Sequence, residues 1–250
     1  MSSITEFDVS RFLGGKTDLA RSLARRECGG RYEDAILIIS SIISAFAALI
    51  WPRPEREWRS SEKDHAKLLK RFPDSKRFIE FWATYADPEQ GSMRIAVPLL
   101  AEHLYEFDKT DALEGLRRLR PDELRHFPEE LDGYVCTGDT VDASEAEVLQ
   151  ACPQLTIKDV RKWSYPAVFY REVRSGFVHE LNPTQFASHI KAGKIGAGVT
   201  YRNDAGRPYR RIHFDVDWLC AIVERMAEHA YPVWQQSNWR CRLVWWSDGA

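Results

Sequence analysis

A chain of 250 residues with 44% apolar and 29% charged residues can bury a sizeable core, which excludes disordered and fibrous classes. Twelve per cent aromatics, nine of them Trp, favour a packed globule. The formal charge of −2 hides an uneven distribution: residues 101–150 carry fourteen Asp/Glu against five Lys/Arg, a net −9, whereas 161–211 carry ten Lys/Arg against three Asp/Glu, a net +7.

The N-terminal residues lack a basic stretch followed by an apolar one, so no secretion signal is expected and the reading is cytoplasmic. Thr17–Glu27 reads as a short amphipathic helix closed by Gly29-Gly30, since glycine commonly follows a helix end. Tyr32–Ile50 is a long apolar helix stopped by Pro52 and Pro54. Its uncharged run, Ala35 to Trp51, sits at the short limit for spanning a bilayer. Charges follow it at once and no second span exists, so the expectation is a central bundle helix, buried all round, and no membrane.

Asp64–Phe72, Ser75–Tyr85 and Ser92–Phe107 read as further helices, the second with Phe78, Phe81, Trp82 and Tyr85 at helical spacing. From Asp111 to Arg161 the pattern becomes shorter and more acidic, with Asp111 and Ser144 as expected N-caps. Pro166 to about Leu181 is one helix, started by Ser164-Tyr165-Pro166 and stopped by Asn182-Pro183. Gly193 to Gly198 precedes a strand and is read as a turn. Val199–Arg202 and Tyr209–Phe214 flank Asn203-Asp204-Ala205-Gly206 as a hairpin, and a last amphipathic helix starts at Asp215. The predicted architecture is mainly α: one helical bundle over 1–250, with 60–160 as a helical insertion and 196–250 as a small C-terminal β-hairpin followed by a helix.

Cys28, Cys136, Cys152, Cys220 and Cys241 lack C-x-x-C spacing and read as idle thiols. The histidines show no metal-ligand spacing either, so neither metal nor cofactor is expected. The Trp-Arg-rich C-terminus, Trp239 to Trp246, reads as rings docking on the core.

The segment Tyr170-Arg171-Glu172-Val173-Arg174-Ser175-Gly176-Phe177-Val178-His179-Glu180 joins basic donors to an imidazole. Phe169, Val173 and Phe177 form its apolar stripe. On an ideal α-helix Arg174 and His179 stand roughly 140° apart, so joint action needs a helix end near His179 or a second copy of the chain. His179 falls in the last turn, where the helix dipole favours imidazolium.

This segment resembles the HEPN families, helical domains marked by an arginine, a polar residue, a few variable positions and a histidine. Arg174, Ser175 and His179 match that pattern, with Ser175 where Asn, Asp or His is common. The resemblance implies a HEPN-like bundle and a metal-independent endoribonuclease, with Arg174 and His179 catalytic and Ser175, Arg171 and Glu180 supporting. Glu33 and Asp34 are expected, by analogy, to hold the motif arginine. Arg210 and Arg211, in the basic block, are expected RNA contacts. RNA as substrate, a homodimer, an antitoxin or sensor protein as partner, and a setting in phage defence or a toxin-antitoxin pair are likewise what the resemblance implies. The alternatives are a non-catalytic HEPN-like dimerisation or RNA-binding module, and an unrelated helical regulatory protein.

Overall fold

A computed structural model describes residues 6–50, 73–87, 91–124, 135–176, 187, 198–203 and 210–235. The chain divides into two units, Met1–Gln90 with Cys220–Ala250 and, inserted between those segments, Gly91–Leu219. The sequence expectation of one domain with an insertion over 60–160 thus meets a division at 90/91 and 219/220.

In the first unit, α1 (Glu6–Ala24) packs on α2 (Tyr32–Ile50), and α2 on α3 (Asp74–Tyr85). Helix α1 begins eleven residues before the expected Thr17 and runs straight through Gly14 and Gly15. Tertiary burial of Leu13, Thr17 and Ala20, on one face, outweighs the low helix propensity of those glycines. The chain then turns through Gly29, whose φ of +76° suits a residue without Cβ.

Helix α2 has the predicted bounds, but it is covered on one side, not all round. Ile36, Ile39, Ile43, Phe46 and Ile50 are buried, whereas Ser41, Ala45 and Ala48 are exposed. The outward positions carry small side chains, so little apolar area faces away from the core. By length and hydropathy (mean 2.0 over its best window) α2 could cross a bilayer, and half of that window is buried within the protein. Phe46 stacks on Phe81 of α3 with ring centroids 6.0 Å apart. The last helix, α11 (Val216–Gln235), joins this unit from Cys220 onward: Arg21 pairs with Glu224 at 2.9 Å and His229 Nδ1–H donates to the Tyr85 carbonyl.

The second unit is built from shorter pieces. Among the described residues, helices α4 (Val97–Glu106), α5 (Thr110–Leu119), α6 (Pro121–Leu124), α7 (Gly138–Val141), α8 (Glu145–Ala151), α9 (Ile157–Arg161) and α10 (Tyr165–Val168) accompany three strands. Strands β1 (Val135–Thr137), β2 (Val199–Asn203) and β3 (Arg210–Phe214) form an antiparallel sheet in the order β1-β2-β3. The expected hairpin is β2-β3, with Tyr201 opposite Ile212, and β1 adds an unforeseen third strand with Cys136 opposite Tyr201.

The helical core contains Ile95, Leu100, Leu104, Leu113, Leu116, Val148 and Val160. Gly115 lets α5 approach α8: a methyl group there would stand 2.3 Å from the Ala151 carbonyl oxygen. Ser144 caps α8 in a reciprocal box with Glu147, as its sequence position suggests. Thr156 and Asp159 repeat the device at α9. Asp111 is not an N-cap; Lys109 holds that place and Asp111 lies in the first turn of α5. The expected helix Asp64–Phe72 and the Trp-rich C-terminus lie outside the described residues.

Candidate functional site

Helix α10 starts where expected, with Pro166 in its first turn, although the Ser164 hydroxyl donates back to the Arg161 carbonyl and caps nothing forward. After one turn the backbone widens: Phe169–Arg174 is wound as a π-helix, with i→i+5 bonding. The Ser175 amide and hydroxyl both donate to the Tyr170 carbonyl, five residues back, the hydroxyl at 2.9 Å. The wider turn buries Phe169, Glu172 and Val173 together, and Phe169 meets Phe214 edge-on at 5.3 Å. An α-helical spacing of side chains therefore does not hold across this segment. The 140° separation concerns the stretch from Arg174 to His179, whose far end lies outside the described residues.

Both arginines of the segment lie on aromatic rings. The Arg171 guanidinium sits 4.7 Å from the centre of the Trp163 ring, donates to the Lys162 carbonyl at 2.9 Å and pairs with Glu172. The Arg174 guanidinium lies 4.6 Å from the Tyr170 ring centre. Such contacts restrict where a cation can point, and each contributes about 0.5–1 kcal/mol at partly exposed sites.

The Arg171–Trp163 contact continues along α4. His103 packs against Trp163 at 5.1 Å and against Phe107 at 4.6 Å, which makes a ladder of three rings and a guanidinium. The ladder borders a pocket of about 620 Å³ floored by Leu100, Leu104 and Ala112 and rimmed by Lys109, Asp111 and Lys162. Burial holds the His103 imidazole below its usual pKa; Lys162 and Arg171 push the same way against Glu106 and Asp159. At neutral pH this ring is therefore a neutral stacking surface.

Two buried carboxyls lie beneath the sheet. Asp142 accepts from the Tyr165 hydroxyl at 2.5 Å, the Tyr201 hydroxyl at 2.7 Å and the Val97 amide at 2.9 Å. Burial nevertheless pushes its pKa up to about 7, against those three bonds, and holds both tyrosines well above their usual values. Glycine is required beside it, since a methyl group at Gly138 would stand 2.2 Å from the Tyr165 hydroxyl oxygen. Glu102 is pushed up to about 8 by burial; one oxygen accepts from the Arg210 amide at 2.5 Å and the other has no hydrogen-bond partner among the described residues. These groups tie α4, α10, β2 and β3 together, and their chemistry is structural.

The structure brings Arg171, Arg174 and Ser175 onto one short segment, with Arg171 and Arg174 half-buried. His179, Glu180 and the Asn182-Pro183 stop lie outside the described residues. Glu33 and Asp34 belong to the other unit, where the Asp34 carboxylate accepts from the Arg31 amide at 2.9 Å and so closes the first turn of α2. Arg210, expected at the RNA surface, is 3% exposed, too little to meet a phosphate; Arg211, on the other face of β3, is half-buried. Among the described residues no three His, Cys, Asp or Glu are grouped as metal ligands would be.

Sequence reading missed Glu102 and His103, although Pro98-Leu-Leu-Ala-Glu-His-Leu104 sets both polar residues inside an apolar run. It missed Trp163 because nothing local marks a ring that a guanidinium eight residues later will cover. Comparison of the chain with family models, with curated proteins and with solved structures finds no match.

Proposed function

We propose that the chain is a metal-independent endoribonuclease of HEPN type, with Arg174 and His179 as its catalytic pair. The observation that carries the reading is the π-helical turn Phe169–Arg174, a rare form found frequently at functional sites, which falls on the arginine half of the motif. In the proposed reaction the RNA 2′-oxygen attacks phosphorus and the bond to the 5′-oxygen breaks, leaving a 2′,3′-cyclic phosphate and a 5′-hydroxyl. His179 moves the proton, from the 2′-hydroxyl or to the leaving oxygen, and Arg174 stabilises charge developing on the phosphoryl oxygens.

The HEPN resemblance adds a homodimer and a defence or toxin setting, with an antitoxin or sensor as partner. The dimer rests on the resemblance and on the roughly 140° separation of Arg174 and His179 on an ideal α-helix. The deciding experiment compares wild type, Arg174→Ala and His179→Ala on one structured RNA with EDTA present. The expected result is cleavage to cyclic-phosphate ends by wild type and a loss on the order of 10²- to 10⁴-fold in each variant. Equal cleavage by all three, or none by wild type, overturns it.

The stacking of Arg171 on Trp163 and Arg174 on Tyr170 favours a second reading, a module that holds RNA without cutting it. Wild type that retains RNA intact, with His179→Ala binding equally, selects that reading.

A further inference from the structure

We propose that the pocket walled by His103 and Trp163 is a nucleoside-binding site that receives one unpaired base of the RNA. The strand rests on the reading above; recognition of the nucleoside itself does not.

Three features of the pocket act together. Its volume, about 620 Å³, falls in the usual range for small-ligand sites and leaves room for one nucleotide. Its wall is a pair of tilted rings, His103 and Trp163, over an apolar floor of Leu100 and Leu104, and a flat heteroaromatic ring gains most from such a wall. Its rim carries both signs of charge. Asp111 offers acceptors for the paired hydroxyls of a ribose, and exposed Lys109 and Lys162 offer cations for one phosphate.

That mixture argues against simpler ligands. An inorganic anion would face Asp108 and Asp111 with nothing to use the ring wall, and an apolar ligand would make no use of the charged rim. Arg171, on the Trp163 ring, carries the same ladder to the π-helical segment. A strand with one base in the pocket would have its neighbouring phosphate on that side. Phe107, 61% exposed, extends the stacking surface outward from His103.

The test titrates adenosine, AMP, uridine and UMP into the full chain by calorimetry, beside a single-stranded 12-mer and a blunt RNA duplex. Wild type should bind at least one nucleoside and prefer the single strand. Lys162→Ala, at an exposed position, should weaken the nucleotide and spare the nucleoside. His103→Ala should weaken both by about tenfold or more, the scale of one lost base stack. Because a half-buried histidine can matter to folding, Gln154→Trp, at an exposed lining residue, serves as a second block: it should fill the pocket and abolish binding with an unchanged melting temperature. No nucleoside or nucleotide bound at millimolar concentration, or binding unaltered by both His103→Ala and Gln154→Trp, overturns the proposal. RNA cleavage that persists in that case leaves the ribonuclease reading standing. Nucleotide binding by a wild type that cleaves no RNA does the reverse.

Discussion

Between Ala35 and Ile50 the first unit relies on an uncharged helical run and apolar burial, whereas between Gly91 and Val168 the second unit stitches short helices through buried polar side chains. Among its described residues five helices run seven residues or fewer, too short to be stable alone or to show a full hydrophobic period. Side chains therefore take over the bonding that long helices do internally. Arg120 donates to the Val141 and Asp142 carbonyls at 3.1 and 2.8 Å, Arg161 pairs with Glu145 at 2.6 Å, and Asp142 collects three donors. Apolar cores lose stability in proportion to the volume removed. Polar hubs lose it in steps, because every orphaned donor has its own desolvation cost.

The largest expected effect follows from that difference. Asp142→Ala leaves the Tyr165 and Tyr201 hydroxyls and the Val97 amide buried without their acceptor, at about 1–3 kcal/mol each. Urea denaturation should therefore show a loss of about 3 kcal/mol or more, and Gly138→Ala, which drives a methyl group into the same hub, should behave alike. Ile39→Ala, at a fully buried position of α2, should cost about 2–5 kcal/mol by cavity formation, and Ile39→Val only about 1 kcal/mol. A graded response at Asp142, with Asp142→Asn as mild as Ile39→Val, would erase the contrast between the units.

Stability should also depend on pH through the second unit. Asp142 and Glu102 have folded pKa values raised to about 7 and about 8, so the unfolded chain releases those protons first as pH rises. Their contribution is fully present below the ordinary carboxylate range, near pH 4, and is lost as pH climbs through 7 and 8. Glu147 and Asp159, held low by their capping hydrogen bonds, act in the opposite sense and only at more acidic pH. Thermal melts should give a higher Tm at pH 5.5 than at pH 8.5, and Asp142→Asn should flatten the difference. A Tm rising over that interval in wild type would sink the assignment. The smallest effect belongs to a single cap: Ser144→Ala should cost about 1 kcal/mol in the same denaturation experiment.

The same contrast decides what the sequence reveals. Helix α2 can be read to both ends because Gly29-Gly30 and Pro52 bracket it and no charge follows Asp34 within it, and the β2-β3 hairpin because Asn203-Asp-Ala-Gly206 has turn composition between two strand-like runs. Strand β1, three residues long, has no alternation to detect, and Gly14-Gly15 hides the first half of α1. The π-helical turn is illegible for a different reason: Phe-Tyr-Arg-Glu-Val-Arg has an ordinary α-helical composition. Of the candidate site, sequence singled out Arg171, Arg174 and Ser175 as neighbours on one segment, whereas the burial of Arg210 was not legible in it. The sheet turns Arg210 to the same face as Tyr201 and Ile212, a pairing that only long-range register sets.

The chain path also bears on synthesis. The first unit is completed by residues from Cys220 onward, and Arg21 finds Glu224 only after Gly91–Leu219 has been made. At translation rates of about 5–20 residues per second, α1 waits on the order of ten seconds for that partner helix. During this delay the inserted unit can fold beside the ribosome, while the face of α1 that carries Thr17 and Arg21 stays incompletely covered. A chaperone that recognises incompletely covered amphipathic helices should therefore capture nascent chains halted before Cys220 and release those extended beyond Gln235.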